Sequence, residues 1–230
     1  MIRAGALAVI IALTSAANAF AQDKPRPRTP PPSPPPSRSV EIGGYAMAGL
    51  MNFTAADSFE VILGRPSGPI FGGGARIGLP WRTTFGGVFV EVGASRFHDE
   101  GERVFVFGGE EFGLNIPVDI TITPFELSAG WQFRFGRVPR FRPYAAAGLS
   151  SYGYKETSPF NTPAEDVDDR FGGYHVYGGA EYKITRWLGL AGEVNWTTIP
   201  EAIGVAGVSA EFDETDLGGT SVRFKITIGR

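Results

Sequence analysis

Histidine, serine and carboxylate side chains are the groups in this chain that could perform acyl-transfer chemistry. The sequence has two histidines, His98 and His175. If His175 faces inward near the outer rim of a barrel, Ser150 or Ser151 could act as a nucleophile, with Glu156 orienting the imidazole. No motif spacing connects these residues. We therefore favour a hydrogen-bonded structural histidine over a hydrolase or acyltransferase, and we expect no catalytic residue.

Two acidic runs, at 165–169 and 213–216, could bind a metal ion. Their carboxylates are hard oxygen ligands of the kind that Ca²⁺ and Mg²⁺ prefer. Neither run has the spacing of an EF-hand loop. We therefore expect solvated acidic loops without a metal or other cofactor, and the candidate ligands to be checked are Asp166, Asp168 and Asp169.

Ten charged residues fall on the predicted inward face of the strands described below. Five are acidic and five are basic, so the interior that they form is neutral. An eight-stranded barrel is only wide enough to be filled by its own side chains, and buried charges are tolerated when they are paired. We favour a salt-bridged interior over an ion path or a catalytic carboxylate. The ten are Glu41, Arg76, Glu91, Glu126, Arg134, Glu181, Lys183, Glu193, Arg223 and Lys225.

Alternation of apolar and polar residues predicts the strands that position these side chains. In the last strand, Val222, Phe224, Ile226 and Ile228 alternate with Ser221, Arg223, Lys225 and Thr227. The same period of two recurs from Val40 onward, without a convincing helical pattern. It predicts eight strands, near 40–52, 69–80, 84–97, 119–135, 142–154, 172–184, 187–198 and 218–228.

The predicted connections alternate between short and long. The short turns lie at 81–83, 136–141 and 185–186. The long links lie at 53–68, 98–118, 155–171 and 199–217, and they contain seventeen acidic and four basic residues. Short periplasmic turns opposite long extracellular loops are typical of outer-membrane barrels with an even number of strands. The first long link also contains an apolar patch at 59–64, which would pack over the barrel mouth or contact a partner.

Aromatic residues at both ends of the strands indicate which face meets lipid. In a membrane barrel the apolar face points outward and is flanked by aromatic girdles. The predicted girdles are Trp81, Phe135, Phe141, Tyr144 and Trp187 at one end, and Phe97, Tyr152, Tyr174 and Trp196 at the other. These patterns predict an all-β fold, an eight-stranded antiparallel up-and-down transmembrane β-barrel. The alternative is a soluble, lipocalin-like barrel with its apolar face inside.

The segment before the barrel has two parts. Residues 1–21 read as a signal peptide, with a charged Arg3, an apolar run and two A-x-A cleavage sites, after Ala19 or after Ala21, of which we favour the second. Residues 22–39 contain eight prolines and predict a polyproline II spacer, either a periplasmic tether or a docking segment. We expect the barrel over 40–230, with its N-terminus in the periplasm.

Composition excludes several classes of function. The net charge is −3, and removal of Arg3 with the signal peptide makes it −4, so no basic surface for nucleic acid is expected. The chain has no cysteine, which excludes a disulfide framework and thiolate metal sites.

Three stretches resemble the OmpA/OmpX-type outer-membrane β-barrel superfamily over roughly residues 40–230. They are Phe71-Gly72-Gly73-Gly74, the segment 142–148 and the segment 178–190. The resemblance implies a small eight-stranded barrel in the outer membrane of a Gram-negative cell. It carries almost no information about activity.

We expect a monomer that anchors acidic extracellular loops and has a structural or interaction role in the cell envelope. Its expected partners are outer-membrane lipid and lipopolysaccharide, and the long loops could contact a surface partner. The alternatives are a narrow pore or transporter for small molecules and, less favoured, an enzyme that modifies lipid A.

Overall fold

Eight antiparallel strands form a closed barrel in the computed structural model, in which residues 40–107, 110–160, 166–204 and 208–229 are described. Each strand pairs with its neighbours along the chain, and β1 pairs with β8 to close the ring. The predicted signal peptide and proline-rich spacer lie outside the described residues. The strands are β1 (Glu41–Phe53), β2 (Ser67–Thr83), β3 (Gly86–Phe107), β4 (Glu110–Phe133), β5 (Phe141–Thr157), β6 (Val167–Lys183), β7 (Leu188–Thr198) and β8 (Gly219–Gly229).

The two faces of the barrel wall have the polarity predicted for a membrane protein. In β8, Phe224 is 69% exposed on the outside, whereas Arg223 and Lys225 are each only 2% exposed on the inside. Successive side chains of a strand point to opposite faces, so this contrast repeats along each strand. The soluble alternative, with an apolar interior and a charged exterior, therefore does not describe this barrel.

The longest hairpin differs from the predicted strand bounds. The predicted link 98–118 is mostly strand, because β3 continues to Phe107 and β4 begins at Glu110. The apolar alternation stops near residue 98, although the backbone ladder continues. A strand that extends beyond the membrane has water on both sides and needs no apolar face, so alternation cannot reveal it.

The three predicted short turns lie at one end of the barrel, which we call the turn end: 84–85, 134–140 and 184–187. At the opposite end, the loop end, lie three long connections, 54–66, 158–166 and 199–218, and the extended hairpin of β3 and β4. Two short helices lie in the long connections: α1 (Ala56–Leu63) and α2 (Val208–Glu211). Within the described ranges, no helix is long and apolar enough to cross a membrane.

Helix α1 covers the mouth at the loop end. The Phe59 ring stacks on Phe53 with 4.0 Å between ring centroids. The Glu214 carboxylate accepts hydrogen bonds from the backbone N–H groups of Asp57 and Ser58, which satisfies donors at the start of the helix. The apolar patch predicted at 59–64 thus packs over the mouth.

An apolar cluster fills the lumen beneath this helix. We call it the loop-end plug: Met47, Met51, Phe53, Ala55, Phe59, Ile70, Phe97, Val118, Ile120, Ile122, Tyr152, Ile199, Ala202 and Leu217. Every member is buried, and Ile122, Tyr152, Ile199 and Leu217 are wholly inaccessible to solvent. The plug separates the charged middle of the lumen from the loop end.

The prediction of the aromatic girdles is wrong for three residues. Tyr144, Phe97 and Tyr152 point inward and are 2%, 1% and 0% exposed. Residues an even number of positions apart in a strand have the same parity and point to the same face. Phe97 thus points inward with Glu91, and Tyr152 points inward with Ser150. Alternation alone therefore excludes both rings from the outer face. Outward aromatic residues at the turn end include Trp81, Phe135 and Trp187, and those towards the loop end include Tyr174 and Trp196.

Candidate functional site

The middle of the lumen holds a chain of ion pairs between residues from five strands. Arg76 on β2 binds Glu91 on β3, with Nη2 2.5 Å from Oε2. The other oxygen of Glu91 accepts a hydrogen bond from Lys225 Nζ at 2.8 Å. Lys225 Nζ also donates to Glu193 Oε2 at 2.7 Å. Arg76 and Lys225 thus each contact a carboxylate, and Lys225 joins two of them.

The chain continues through Arg223 to Glu126. Arg223 Nη1 lies 3.8 Å from Glu193 Oε1 and 2.7 Å from Glu126 Oε2. Its Nη2 donates to Glu126 Oε1 at 2.8 Å, so the pair is bidentate. The six residues alternate in sign across the lumen in the order Arg76, Glu91, Lys225, Glu193, Arg223 and Glu126.

Aromatic rings lie over two cations of these ion pairs, Arg76 and Lys225. Arg76 lies over the rings of Phe89 and Tyr144, at 4.2 and 4.4 Å from their centroids. Lys225 Nζ lies 4.4 Å from the centroid of Tyr45, and the Tyr144 hydroxyl donates to Glu193. Cation–π contacts and phenolic hydrogen bonds compensate charges that are largely removed from water.

The other four residues of the predicted interior set form a second group nearer the turn end. Glu41 Oε1 binds Arg134 and also Arg82, at 3.2 and 3.1 Å. Glu181 binds Lys183 Nζ at 3.2 Å. Gln132 and Thr227 also donate to Glu181, at 3.2 and 2.5 Å. This group is less enclosed, since Glu41 and Arg134 each keep about a third of their side chains exposed.

His175 lies inside the lumen rather than at its rim. It is fully buried, and its two ring nitrogens bond to Ser128 and Ser150 at 2.8 and 2.7 Å. Of the predicted nucleophiles, Ser150 contacts the imidazole, but Ser151 has outward parity on β5. The imidazole is therefore closed off from bulk solvent in this arrangement.

Glu156, the carboxylate predicted to orient His175, makes other contacts. It accepts a hydrogen bond from the Tyr154 hydroxyl at 3.0 Å and lies 3.6 Å from Arg103. The nearby carboxylate in the lumen is that of Glu126, which interacts electrostatically with His175. The arrangement therefore lacks the serine–histidine–carboxylate relay that the enzyme hypothesis requires.

The acidic candidates for metal binding are not brought together. Asp168 and Asp169 are consecutive in β6 and point to opposite faces, and Asp166 precedes the strand. A different trio in the described part of the chain has ligand atoms within 4.8 Å of one another: His98, Glu100 and Asp119. The His98 Nδ1 atom of this trio is hydrogen-bonded to the hydroxyl of Thr121 at 3.1 Å.

Where the apolar face ends towards the loop end, the outer wall carries a polar strip that includes two cations, Arg96 and Lys155, beside the carboxylate of Asp119. Arg96 and His98 on β3 and Lys155 on β5 have outward parity and are exposed. Thr121 lies between His98 and Lys155 in the strand register. We call Arg96, His98, Thr121 and Lys155 the wall strip.

A cavity of about 330 Å³ lies at the loop end between the helices and the extended hairpin. Phe59, Ile62 and Ile120 supply apolar lining, and Tyr154 and Glu156 form a polar side. A second cavity, of about 180 Å³, opens at the turn end. The two cavities share no lining residue among those the structure describes.

Three arginines that line the turn-end cavity are not in the predicted interior set: Arg82, Arg142 and Arg186. Arg82 was assigned to a turn, but β2 extends to Thr83 and turns Arg82 inward. Arg142 shares the inward parity of Tyr144 on β5. Parity would have identified Arg142, whereas Arg82 follows a register shift in β2 that hydrophobic alternation does not indicate.

Comparisons with known proteins agree with the architecture. A family model for the outer membrane protein beta-barrel domain matches residues 6–224. A search of curated proteins found no match. Among solved structures, a major outer membrane protein from Thermus thermophilus is 12% identical, with a TM-score of 0.51; the alignment covers 84% of this chain and 100% of that one.

Two further structures have TM-scores below 0.5. Neisserial surface protein A is 14% identical with a TM-score of 0.47, and Ail of Yersinia pestis, in complex with the heparin analogue sucrose octasulfate, is 11% identical with a TM-score of 0.49. Both alignments cover 83% of this chain and 95% of the other. At such identities a structural likeness is evidence of fold, not of activity.

Proposed function

Because the chain belongs to the outer membrane protein beta-barrel domain family, we propose that it is a non-conducting membrane anchor that presents its loop end at the cell surface. The observation that carries this proposal is the filled lumen. The turn end of the barrel then faces the periplasm, because short connections are typical of the periplasmic side.

The filling argues against the alternative of a pore or transporter. Ions or small molecules would have to pass the series of ion pairs that extends from Arg76 to Glu126, and then the loop-end plug. Arg223 and Lys225 are each 2% exposed, and their carboxylate partners are also buried. Opening this path would separate paired buried charges, which costs several kcal/mol for each pair broken.

Conductance across a planar lipid bilayer tests the anchor proposal. We expect no discrete conductance steps from the purified protein. A change in gel mobility on boiling the same preparation would establish that the barrel is folded. Steps that change in size in the Glu126→Gln variant would overturn the proposal and favour a narrow pore.

We further propose that the wall strip contacts the phosphate groups of outer-membrane lipid or lipopolysaccharide. Arg96 and Lys155 are exposed on the outer wall, and the outward residues two positions before them, Ala94 and Gly153, continue into the apolar face. Cations at this height meet the headgroup region, where anionic lipid attracts basic side chains. The hydroxyl of Thr121 adds a neutral donor.

Lipid retained during detergent purification tests this contact. We expect the Arg96→Gln/Lys155→Gln double variant to retain less lipopolysaccharide by native mass spectrometry than the unmodified protein. Arg65→Gln is the matched control, because Arg65 is exposed at the loop end but pairs with Asp99. Equal retention by the double variant and the unmodified protein would contradict the contact.

A further inference from the structure

The cavity at the turn end is lined by an excess of cationic side chains. We call it the turn-end vestibule; its volume is about 180 Å³. Arg76 and Lys225 form its floor and are already bound to Glu91. Around its mouth are five cations and two carboxylates, a formal net charge of +3: Arg82, Arg134, Arg142, Lys183, Arg186, Glu41 and Glu181.

The two mouth carboxylates are shared among only some of these cations. Glu41 forms ion pairs with both Arg82 and Arg134, and Glu181 forms one with Lys183. Arg142 makes no ion pair within 4 Å in the described part of the chain. Arg134 and Arg82 repel its charge, whereas Glu41 and Glu181 attract it from beyond ion-pair distance. The vestibule therefore differs from the middle of the lumen, where the cations and carboxylates of the chain balance.

Two buried donors at this site lack a hydrogen-bond partner. The Nη2 of Arg82 is inaccessible and unpartnered, and only 10% of that side chain is exposed. The Nε of Arg142 is likewise buried and unpartnered. Leaving a charged donor without a partner costs more than leaving a neutral one, so such groups in a native protein usually have a water molecule or an ion.

We propose that the turn-end vestibule binds a phosphate group, held by Arg82 and Arg142. Guanidinium groups present planar pairs of N–H donors that match phosphate oxygens, and this match distinguishes arginine from lysine. A phosphate dianion also offsets most of the formal charge of +3. The volume accommodates such a group together with a few water molecules.

The charge pattern favours an anion of this kind over other occupants. A cation would meet an excess of positive charge at the mouth and deeper carboxylates that Arg76 and Lys225 already occupy. An apolar ligand would leave the donors of Arg82 and Arg142 unpartnered. A phosphate group can accept from several donors at once, as free phosphate or as part of a lipid headgroup.

Calorimetric titration with inorganic phosphate tests the proposal on the full protein in a nonionic detergent. We expect saturable binding with one site per barrel. Arg142→Gln should weaken it about tenfold, the loss expected for one charge-assisted hydrogen bond. Glu41→Gln should tighten it, because it releases Arg82 and Arg134 from their carboxylate. Arg137→Gln is the matched control, since Arg137 is an exposed arginine in the turn between β4 and β5 and outside the vestibule.

The results with the variants distinguish phosphate binding in the vestibule from general charge screening and from phosphate binding at the wall strip. Equal weakening by Arg142→Gln and Arg137→Gln, or no saturable binding, would overturn it. The Arg96→Gln/Lys155→Gln variant should bind phosphate normally. Repeating the titration in nanodiscs of phosphatidylglycerol or phosphatidylcholine identifies the source of the phosphate group. If phosphate binding is lost in phosphatidylglycerol but unchanged in phosphatidylcholine, the site binds a lipid headgroup. If phosphate binding persists in both lipids, the site binds free phosphate.

Discussion

Replacing Arg223 with methionine should strongly destabilise the barrel. The change removes two charge-assisted hydrogen bonds to Glu126, of 2.7 and 2.8 Å, and leaves that carboxylate without its charge partner. Each such bond contributes about 1.5–3 kcal/mol. Breaking a buried ion pair from one side costs about 3–5 kcal/mol. We therefore expect Arg223→Met to lower the free energy of unfolding by about 3–5 kcal/mol.

Urea unfolding in lipid vesicles, followed by tryptophan fluorescence, measures this change. The Glu126→Leu/Arg223→Met double variant should recover about 2–3 kcal/mol relative to the sum of the single changes, because it removes both charges together. Arg65→Gln is the control: its pair with Asp99 leaves Arg65 53% exposed, so its loss should cost at most about 1 kcal/mol. An Arg223→Met cost as small as that of Arg65→Gln would refute the view that ion pairs hold the lumen together.

Three further predictions concern packing in the lumen and at its mouth. Gly74→Ala should lower the free energy of unfolding by about 1–3 kcal/mol, measured by urea unfolding, because its methyl group would overlap a backbone oxygen of β3 and the Tyr45 hydroxyl. Phe59→Ala should speed amide hydrogen exchange in Ala56–Leu63 but not in the strands, because it removes the stacked ring that holds α1; unchanged exchange would contradict this. His175→Ala should lower the free energy of unfolding by about 1–3 kcal/mol, because two buried serine hydroxyls lose their hydrogen-bond partner. The same variant should leave the lipid A acylation profile of expressing cells unaltered, and an altered profile would favour the enzyme hypothesis.

Much of the fold could be predicted because lipid imposes one simple rule on each strand. An outward residue within the membrane must be apolar, so Val222 to Ile228 read clearly as a strand. The rule stops where the strands leave the membrane, so alternation predicts a link at 98–118, where the structure has the hairpin of β3 and β4. It also gives no information about α1, whose eight residues are too few for a clear helical period.

The candidate site could be predicted only as a set of inward residues. Parity places Glu126 and Arg223 inside, but these residues are 97 positions apart, and neither parity nor composition tells which carboxylate each cation meets. Partner choice depends on the stagger of eight strands around the ring. The excess charge of the vestibule also depended on Arg82, whose inward position follows from a register shift near the turn.

Cysteine labelling in intact cells most directly tests the claim that the loop end is presented at the surface. The chain has no cysteine, so each single substitution gives a unique site. Phe160 at the loop end is 71% exposed, and Val138 at the turn end is 50% exposed. A membrane-impermeant maleimide should label Phe160→Cys in intact cells and Val138→Cys only after the outer membrane is permeabilised. Labelling of Val138→Cys but not Phe160→Cys in intact cells would contradict the proposed orientation and with it the anchoring function.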